Sequence, residues 1–152
     1  MDIPKFKTEY NRTGEELLPH RSPFLFVDRL LSADETGAVG EYTFTLERND
    51  FLRGHFPGNP IVPGVVLVEA MSQVAGASVT ARGIIGPKVE FVLAAVEETR
   101  FKRPVRPGET LTTVVKIIRE RPPLGIYEMA GYVNGELAAT TKVKCMLVTG
   151  RD

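Results

Sequence analysis

Alternating apolar and polar residues run along most of the chain and predict β-strands. Strand-like segments rich in Val, Ile, Thr and aromatic residues cover residues 24–33, 38–46, 89–103, 110–121, 126–133 and 137–148. Turn residues separate them at 34–37 (DETG), 106–108 (RPG), 122–125 (PPLG) and 134–135 (NG). The Asn-Gly pair is the strongest hairpin signal, because both residues tolerate positive φ. The pattern therefore predicts an antiparallel sheet.

One long apolar segment interrupts the strands and predicts a single helix over residues 65–81, ended by Gly83. Its apolar residues cover every side of the helix, whereas a surface helix has one apolar stripe. We therefore expect the helix to be buried nearly all round by a sheet that curls about it, in an α+β domain. Three of its polar residues, Glu69, Ser72 and Gln73, share one face at positions i, i+3 and i+4.

The composition narrows the class of protein. The 152 residues suit one domain spanning residues 1–152, and the 19 basic and 19 acidic residues cancel, so no net charge attracts nucleic acid or an anionic membrane. Cys145 is the only cysteine, which excludes an intrachain disulfide and a cysteine-built metal site and favours a packing role in a reducing cytoplasm. The N-terminus lacks a signal-peptide core, and no apolar run approaches membrane-spanning length, so we expect a soluble cytoplasmic protein.

A rigid loop precedes the helix and carries the most informative chemistry. Residues 54–64 (GHFPGNPIVPG) contain three prolines and three glycines, which leave the backbone few conformations. The loop holds His55 at a fixed offset from Glu69 on the helix. Histidine accepts a proton near neutral pH, and a carboxyl group among Val66, Val68 and Ala70 is favoured in its protonated form. The two residues form a candidate acid/base pair.

Four motifs in order suggest a family. They are residues 18–29 (LPHRSPFLFVDR), 54–65 (GHFPGNPIVPGV), 69–73 (EAMSQ) and 101–108 (FKRPVRPG). Over roughly residues 15–148 the chain resembles the 3-hydroxyacyl-acyl carrier protein dehydratases of type II fatty acid synthesis. The resemblance implies a hotdog fold, in which a strongly bent antiparallel sheet wraps a long central helix. It also implies a homodimer, often a trimer of dimers, with each acyl tunnel at the subunit interface. We expect no cofactor and no metal.

The resemblance also implies roles for individual residues. His55 would remove the C2 proton of the 3-hydroxyacyl thioester, and Glu69 would protonate or orient the departing C3 hydroxyl. The thioester oxygen would be bound at the start of the helix, where backbone N–H groups are unpaired and Gly64 and Val65 lie. Three further residues would support the site: Gln73, Phe56 and Pro57.

Two other features have weaker functional readings. His20 is expected to be structural, at the entrance of the site. A basic cluster is either a solvated face or a docking surface for an acidic carrier protein; its members are Arg100, Lys102, Arg103 and Arg106. Phe101 is the only aromatic residue among them, so we do not expect a nucleic-acid site.

Several alternatives remain open at this point. Residues 94–98 (AAVEE) depart from the family pattern, which leaves the preferred acyl chain length undecided. Related enzymes that also isomerise the product carry Asp where this chain has Glu69, so simple dehydration is favoured. A polyketide-type dehydratase remains possible. A non-catalytic hotdog subunit that binds acyl carrier protein would be free to lose His55 or Glu69, and both are present. A hotdog thioesterase fits less well.

Overall fold

A computed structural model describes residues 2–86 and 88–149. Its seven strands form one antiparallel sheet in the order β1-β2-β3-β5-β6-β7-β4. The strands are β1 (Thr8–Thr13), β2 (Arg29–Ala33), β3 (Gly37–Thr43), β4 (Val89–Phe101), β5 (Thr110–Arg121), β6 (Leu124–Val133) and β7 (Glu136–Thr149). The helices are α1 (Gly14–Leu17), α2 (Gly64–Ala81) and a 3-10 helix (Asp50–Gly54).

Helix α2 supplies much of the core, as predicted, but its first turn is not buried. Residues 70–79 are buried without exception, and the sheet approaches so closely that a Cβ at Gly40 would lie 2.9 Å from the Val74 methyl groups. Val65, in contrast, is 78% exposed. The helix ends at Ala81, and Gly83 adopts the positive φ of 69° that lets the chain turn away.

The strand predictions hold best where turn residues frame them. β5 has the predicted bounds, and Asn134 and Gly135 join β6 to β7 with φ values of 50° and 77°. β6 begins at Leu124, two residues before the predicted start, because Pro122 and Pro123 alone form the turn after β5. For the other predicted strands, apart from the one over residues 24–33, the observed ends differ from the predicted ends by three residues or fewer.

The prediction of a strand over residues 24–33 is wrong in its first half, since β2 begins only at Arg29. Segment 24–28 is irregular because its backbone bonds to a helix side chain: Phe26 N–H donates to Gln73 Oε1 at 2.7 Å, and Gln73 Nε2 donates to the Phe24 carbonyl at 3.0 Å. Strand β1 was not predicted, because its residues are mostly polar and exposed on the edge of the sheet.

Cys145 and helix α2 bear on two expectations from the sequence. Cys145 is fully buried, and burial raises the pKa of its thiol to about 12, which agrees with a packing role. Helix α2, with 18 residues and a mean hydropathy of 1.3, is long and apolar enough to cross a membrane by length and composition alone, contrary to expectation. However, 67% of it is buried inside the fold, as in the core helix of a soluble protein.

Candidate active site

The loop that carries His55 is held by short backbone hydrogen bonds. Ile61 N–H donates to the His55 carbonyl at 2.7 Å, and Phe56 and Asn59 exchange two bonds of 3.0 and 2.8 Å. Val62 N–H ties the loop to Val105 at 2.8 Å. The peptide bond between His55 and Phe56 is cis. The proline- and glycine-rich sequence thus forms a tight loop with its own internal bonds, which fixes the position of the imidazole.

The hydrogen bond of the His55 ring selects one tautomer. Nδ1 lies 3.1 Å from the carbonyl oxygen of Ile61, which can only accept, so Nδ1 carries the proton. In the neutral ring Nε2 is then left with a free lone pair. The ring of Phe56 stacks on the imidazole with 4.3 Å between centroids, which further restrains it. His55 is therefore arranged to accept a proton at Nε2.

The N-terminus of α2 lies beside His55 and presents unpaired donors. The Pro63 carbonyl accepts from Val66 N–H at 2.9 Å and from Leu67 N–H at 3.1 Å, and Pro63 itself has no N–H. Within the described residues no acceptor is found for the N–H groups of Gly64 and Val65. Two free donors at the positive end of an 18-residue helix are suited to bind a negatively charged oxygen, and the oxyanion site itself stays a prediction.

Phe101, at the end of β4, packs directly over Gly64. A Cβ at Gly64 would lie 2.7 Å from the tip of this ring, so a larger residue at this position would require the Phe101 ring to move. Both residues line a groove of about 630 Å³. Its lining is mostly apolar and includes His55, Val62, Val65, Leu67, Phe101 and Lys102. Pro57 lies in the exposed turn of the loop and does not line this groove.

Glu69, in the second turn of α2, is held by a buried amide. Gln73, one turn later and 1% exposed, donates from Nε2 to Glu69 Oε2 at 2.8 Å, as their i, i+4 spacing predicts. The same Gln73 side chain holds segment 24–26, so this residue joins the carboxylate to the motif that begins at Leu18. Glu69 does not line the groove of His55 within the described chain.

His20, expected to be a structural residue at the entrance of the site, lies beside Glu69. Its Nε2 lies 3.7 Å from Glu69 Oε2, with the imidazole 17% and the carboxylate 21% exposed. Burial lowers the pKa of His20, Glu69 and Glu90 oppose this shift, and Arg21 adds to it. His20 and Glu69 are 49 positions apart in the sequence, a separation that gave no spacing signal, so only the fold brings them together. The described residues contain no group of three His, Cys, Asp or Glu side chains that could hold a metal ion.

Two members of the predicted basic cluster are held by neighbouring side chains, and two are not. Arg103 is paired with Glu109 at 2.7 Å and with Glu136 at 3.7 Å. Arg106 donates to Asn59 Oδ1 at 2.8 Å and so braces the His55 loop. Arg100 and Lys102 are exposed and form no ion pair with the described residues, and Lys102 lies at the groove.

Comparison with known proteins identifies the family. A family model described as a FabA-like domain matches residues 18–142. The 3-hydroxyacyl-acyl carrier protein dehydratase FabZ of Pectobacterium atrosepticum is 40% identical over 131 residues, or 86% of this chain and 87% of that protein. The protein of the same name from Sodalis glossinidius is 39% identical over the same shares.

Solved structures with low sequence identity agree on the fold. The dehydratase heterocomplex ApeI:P from Xenorhabdus doucetiae aligns with a TM-score of 0.78 at 14% identity, over 90% of this chain and 91% of that chain. The uncharacterized protein PH1136 from Pyrococcus horikoshii aligns with a TM-score of 0.64 at 20% identity, over 88% and 92%. The predicted α+β hotdog fold is confirmed. The chain belongs to the FabA-like family, and within it to the FabZ-type dehydratases.

Proposed function

We propose that this protein dehydrates (3R)-3-hydroxyacyl-acyl carrier protein to the trans-2-enoyl thioester in type II fatty acid synthesis, with His55 as the base and Glu69 as the acid. The observation that carries the proposal is the His55 tautomer, because the bond from Nδ1 to Ile61 leaves Nε2 as a proton acceptor beside an apolar groove. The family relationship supports the same reaction. We expect a cytoplasmic location.

The elimination divides into three tasks. Nε2 of His55 takes the C2 proton, and the electron pair of that bond forms the C2–C3 double bond as the C3–O bond breaks. Glu69 gives its proton to the departing hydroxyl, which leaves as water. Negative charge that develops on the thioester oxygen is stabilised by the free N–H groups of Gly64 and Val65. The proton taken by His55 returns to Glu69 or to solvent and completes the cycle.

The direct test follows the enoyl thioester chromophore with 3-hydroxyacyl carrier substrates of several chain lengths. We expect turnover by the wild type and a loss of about a hundredfold or more in His55→Ala and in Glu69→Gln, because each removes one positioned acid or base. Arg119→Ala, at an exposed position of β5 that does not line the groove, is the control and should stay within about threefold. Near-normal turnover by either site variant, with unchanged thermal unfolding, rejects the assignment.

We further propose that the complete site needs two copies of the chain. Within one chain His55 lines the groove and Glu69 does not, so the acid and the base are not brought to the same cavity. β4 is the last strand of the sheet and pairs only with β7 among the described strands, which leaves a 13-residue edge. Its exposed side carries Val92 and Val96, 51% and 48% exposed. Such an edge is suited to antiparallel pairing with its own copy about a two-fold axis.

The same edge carries apolar surface close to the groove. Phe101, Phe56 and Val65 are 52%, 51% and 78% exposed. Exposed apolar residues concentrated beside an unpaired strand are typical of an interface. A partner docked there would bring the Glu69 of the second copy to the His55 of the first, and by symmetry the reverse. The homodimer, and a trimer of such dimers, would bury this surface.

We propose that Arg100 and Lys102 dock the acidic carrier protein. They are the two members of the basic cluster whose side chains form neither an ion pair nor a hydrogen bond with the described residues, whereas Arg103 is paired with Glu109 and Arg106 is bonded to Asn59. Lys102 lies at the groove into which the carrier delivers its thioester. Reversing both charges should raise KM for carrier-linked substrate about tenfold or more with little change in kcat. The double reversal Arg119→Glu/Arg121→Glu, at two exposed positions of β5 that do not line the groove, is the matched control and should change KM little.

Two measurements separate docking from damage to the site. Added salt should raise KM of the wild type for carrier-linked substrate, because it screens exposed charges. The same substrate on a short pantetheine stub should be turned over equally by the wild type and by the double charge reversal. Equal losses on both substrates would contradict the docking role of Arg100 and Lys102.

A further inference from the structure

His20 has an arrangement that its sequence position did not suggest. Its ring is largely buried, its Nε2 points to the carboxylate of Glu69, and its Nδ1 is buried with no hydrogen-bond partner among the described residues. Buried polar atoms of native proteins nearly always have a partner, so a nitrogen without a protein partner limits where the ring can carry its proton.

The unpaired Nδ1 restricts the protonation of the ring. A proton on Nδ1 would leave a buried N–H without an acceptor and would turn the Nε2 lone pair toward a carboxylate oxygen. A doubly protonated ring would leave the same N–H unpaired. The neutral ring with its proton on Nε2 avoids both, because Nε2–H then faces Glu69. The other charges around the ring are Arg21 beside it and Glu90 on β4, and the pKa of His20 lies below its usual value because burial outweighs the carboxylates.

Two N–H donors therefore converge on one oxygen of Glu69. Gln73 Nε2 donates to Oε2 at 2.8 Å, and His20 Nε2 faces the same Oε2 at 3.7 Å. The second distance is too long for a hydrogen bond, and a shift of about 0.7 Å would make one. A carboxylic acid proton on Oε2 would collide with these donors, so the proton of the neutral acid is on Oε1.

We propose that His20 is a positioning residue that acts through Glu69: with Gln73 it keeps Oε2 as an acceptor, so that Oε1 carries and delivers the proton. When Oε1 gives its proton to the departing hydroxyl, the charge left on the carboxylate is stabilised at Oε2 by both N–H groups. This inference rests on the proposed role of Glu69 as the acid.

The test compares two amide substitutions that differ in reach. The amide of His20→Gln can occupy the place of Nε2 and donate to Glu69, whereas that of His20→Asn reaches only the place of Nδ1. We expect His20→Asn to lower kcat about tenfold with KM within about twofold, the size expected for one hydrogen bond to a charged group. His20→Gln should recover kcat to within about threefold of the wild type. His20→Met, which removes the donor without adding a polar group, should resemble His20→Asn.

A double-mutant cycle with Glu69→Gln tests whether His20 acts through Glu69. Adding His20→Asn to Glu69→Gln should lower the single-turnover rate no further, because nothing remains to be positioned. Wild-type kcat in both His20→Asn and His20→Met, equal losses in His20→Gln and His20→Asn, or a full tenfold loss in the Glu69→Gln background would each overturn the proposal. Wild-type activity of Glu69→Gln alone would instead reject the proposed function, so the two failures are distinguishable.

Discussion

Replacing Gln73 by methionine should weaken both the fold and the site. The Gln73 side chain is 1% exposed and makes three hydrogen bonds: it accepts from Phe26 N–H at 2.7 Å and donates to the Phe24 carbonyl at 3.0 Å and to Glu69 at 2.8 Å. Methionine has a similar length and volume, so the substitution removes the bonds without opening a large cavity.

The expected loss of stability follows from which partners water can reach. Phe26 is 1% exposed, so its N–H stays buried without an acceptor, which costs about 1–3 kcal/mol. Phe24 is exposed and Glu69 is half-buried, so water can replace those two bonds in part, and their loss adds about 1 kcal/mol in total. We expect Gln73→Met to lower the free energy of unfolding by about 2–4 kcal/mol.

The assay is urea unfolding at neutral pH together with kcat for a 3-hydroxyacyl carrier substrate. The midpoint should fall at constant slope, and kcat should fall because Glu69 is no longer oriented. Gln73→Glu is a second test, since it keeps an acceptor for Phe26 N–H but places a buried carboxylate against Glu69 and the Phe24 carbonyl, so at neutral pH it should be at least as unstable as Gln73→Met. A Gln73→Met protein within about 0.5 kcal/mol of wild type would refute the reasoning.

Three further results are expected. Arg82 pairs with the largely buried Glu120 at 2.6 Å. Burial alone would raise the pKa of Glu120, but hydrogen bonds from Arg82 and a tyrosine outweigh it and lower that pKa. The pair therefore stabilises the fold fully above pH 4.5, the ordinary pKa of glutamate, and this stabilisation is lost as pH falls below that value. Arg82→Met should destabilise by about 3–5 kcal/mol at pH 7, less at pH 4, in urea unfolding; equal losses at both would contradict this. The new Cβ of Gly64→Ala would lie 2.7 Å from the Phe101 ring, so the ring must move, and kcat should fall. Turnover at the wild-type rate would show that the position of this ring does not matter for catalysis. Val96→Lys near the middle of β4 should give monomers in sedimentation, and a persistent dimer would exclude edge pairing there.

Local patterns were sufficient to predict the elements that local chemistry determines. The α2 helix and the hairpin at Asn134 were predictable because an unbroken apolar helix-forming run and an Asn-Gly pair each favour one conformation. The Glu69–Gln73 bond was predictable from i, i+4 spacing on one helix face. Strand β1 was not, since its polar residues are ordered by pairing with β2 rather than by burial.

Long-range contacts account for what the sequence did not reveal. Residues 24–28 have a strand-like composition, but their backbone bonds to Gln73, which lies 47 positions from Phe26. His20 was interpreted as structural because nothing near it in sequence suggests a partner, and the fold brings it to Glu69. Gly64 was expected to lie where the thioester oxygen binds, and the fold also packs the ring of Phe101, 37 positions later, against it.

The shared acid/base site is tested most directly by mixing two inactive variants. His55→Ala and Glu69→Gln chains are denatured and refolded together, doubly tagged dimers are isolated to prove exchange, and enoyl thioester formation is measured. Each mixed dimer should hold one site with both lesions and one intact site, so with random exchange the unfractionated mixture should recover roughly a quarter of wild-type activity. Doubly tagged dimers no more active than the single variants would contradict the account, because every site would then take its acid and its base from the same chain.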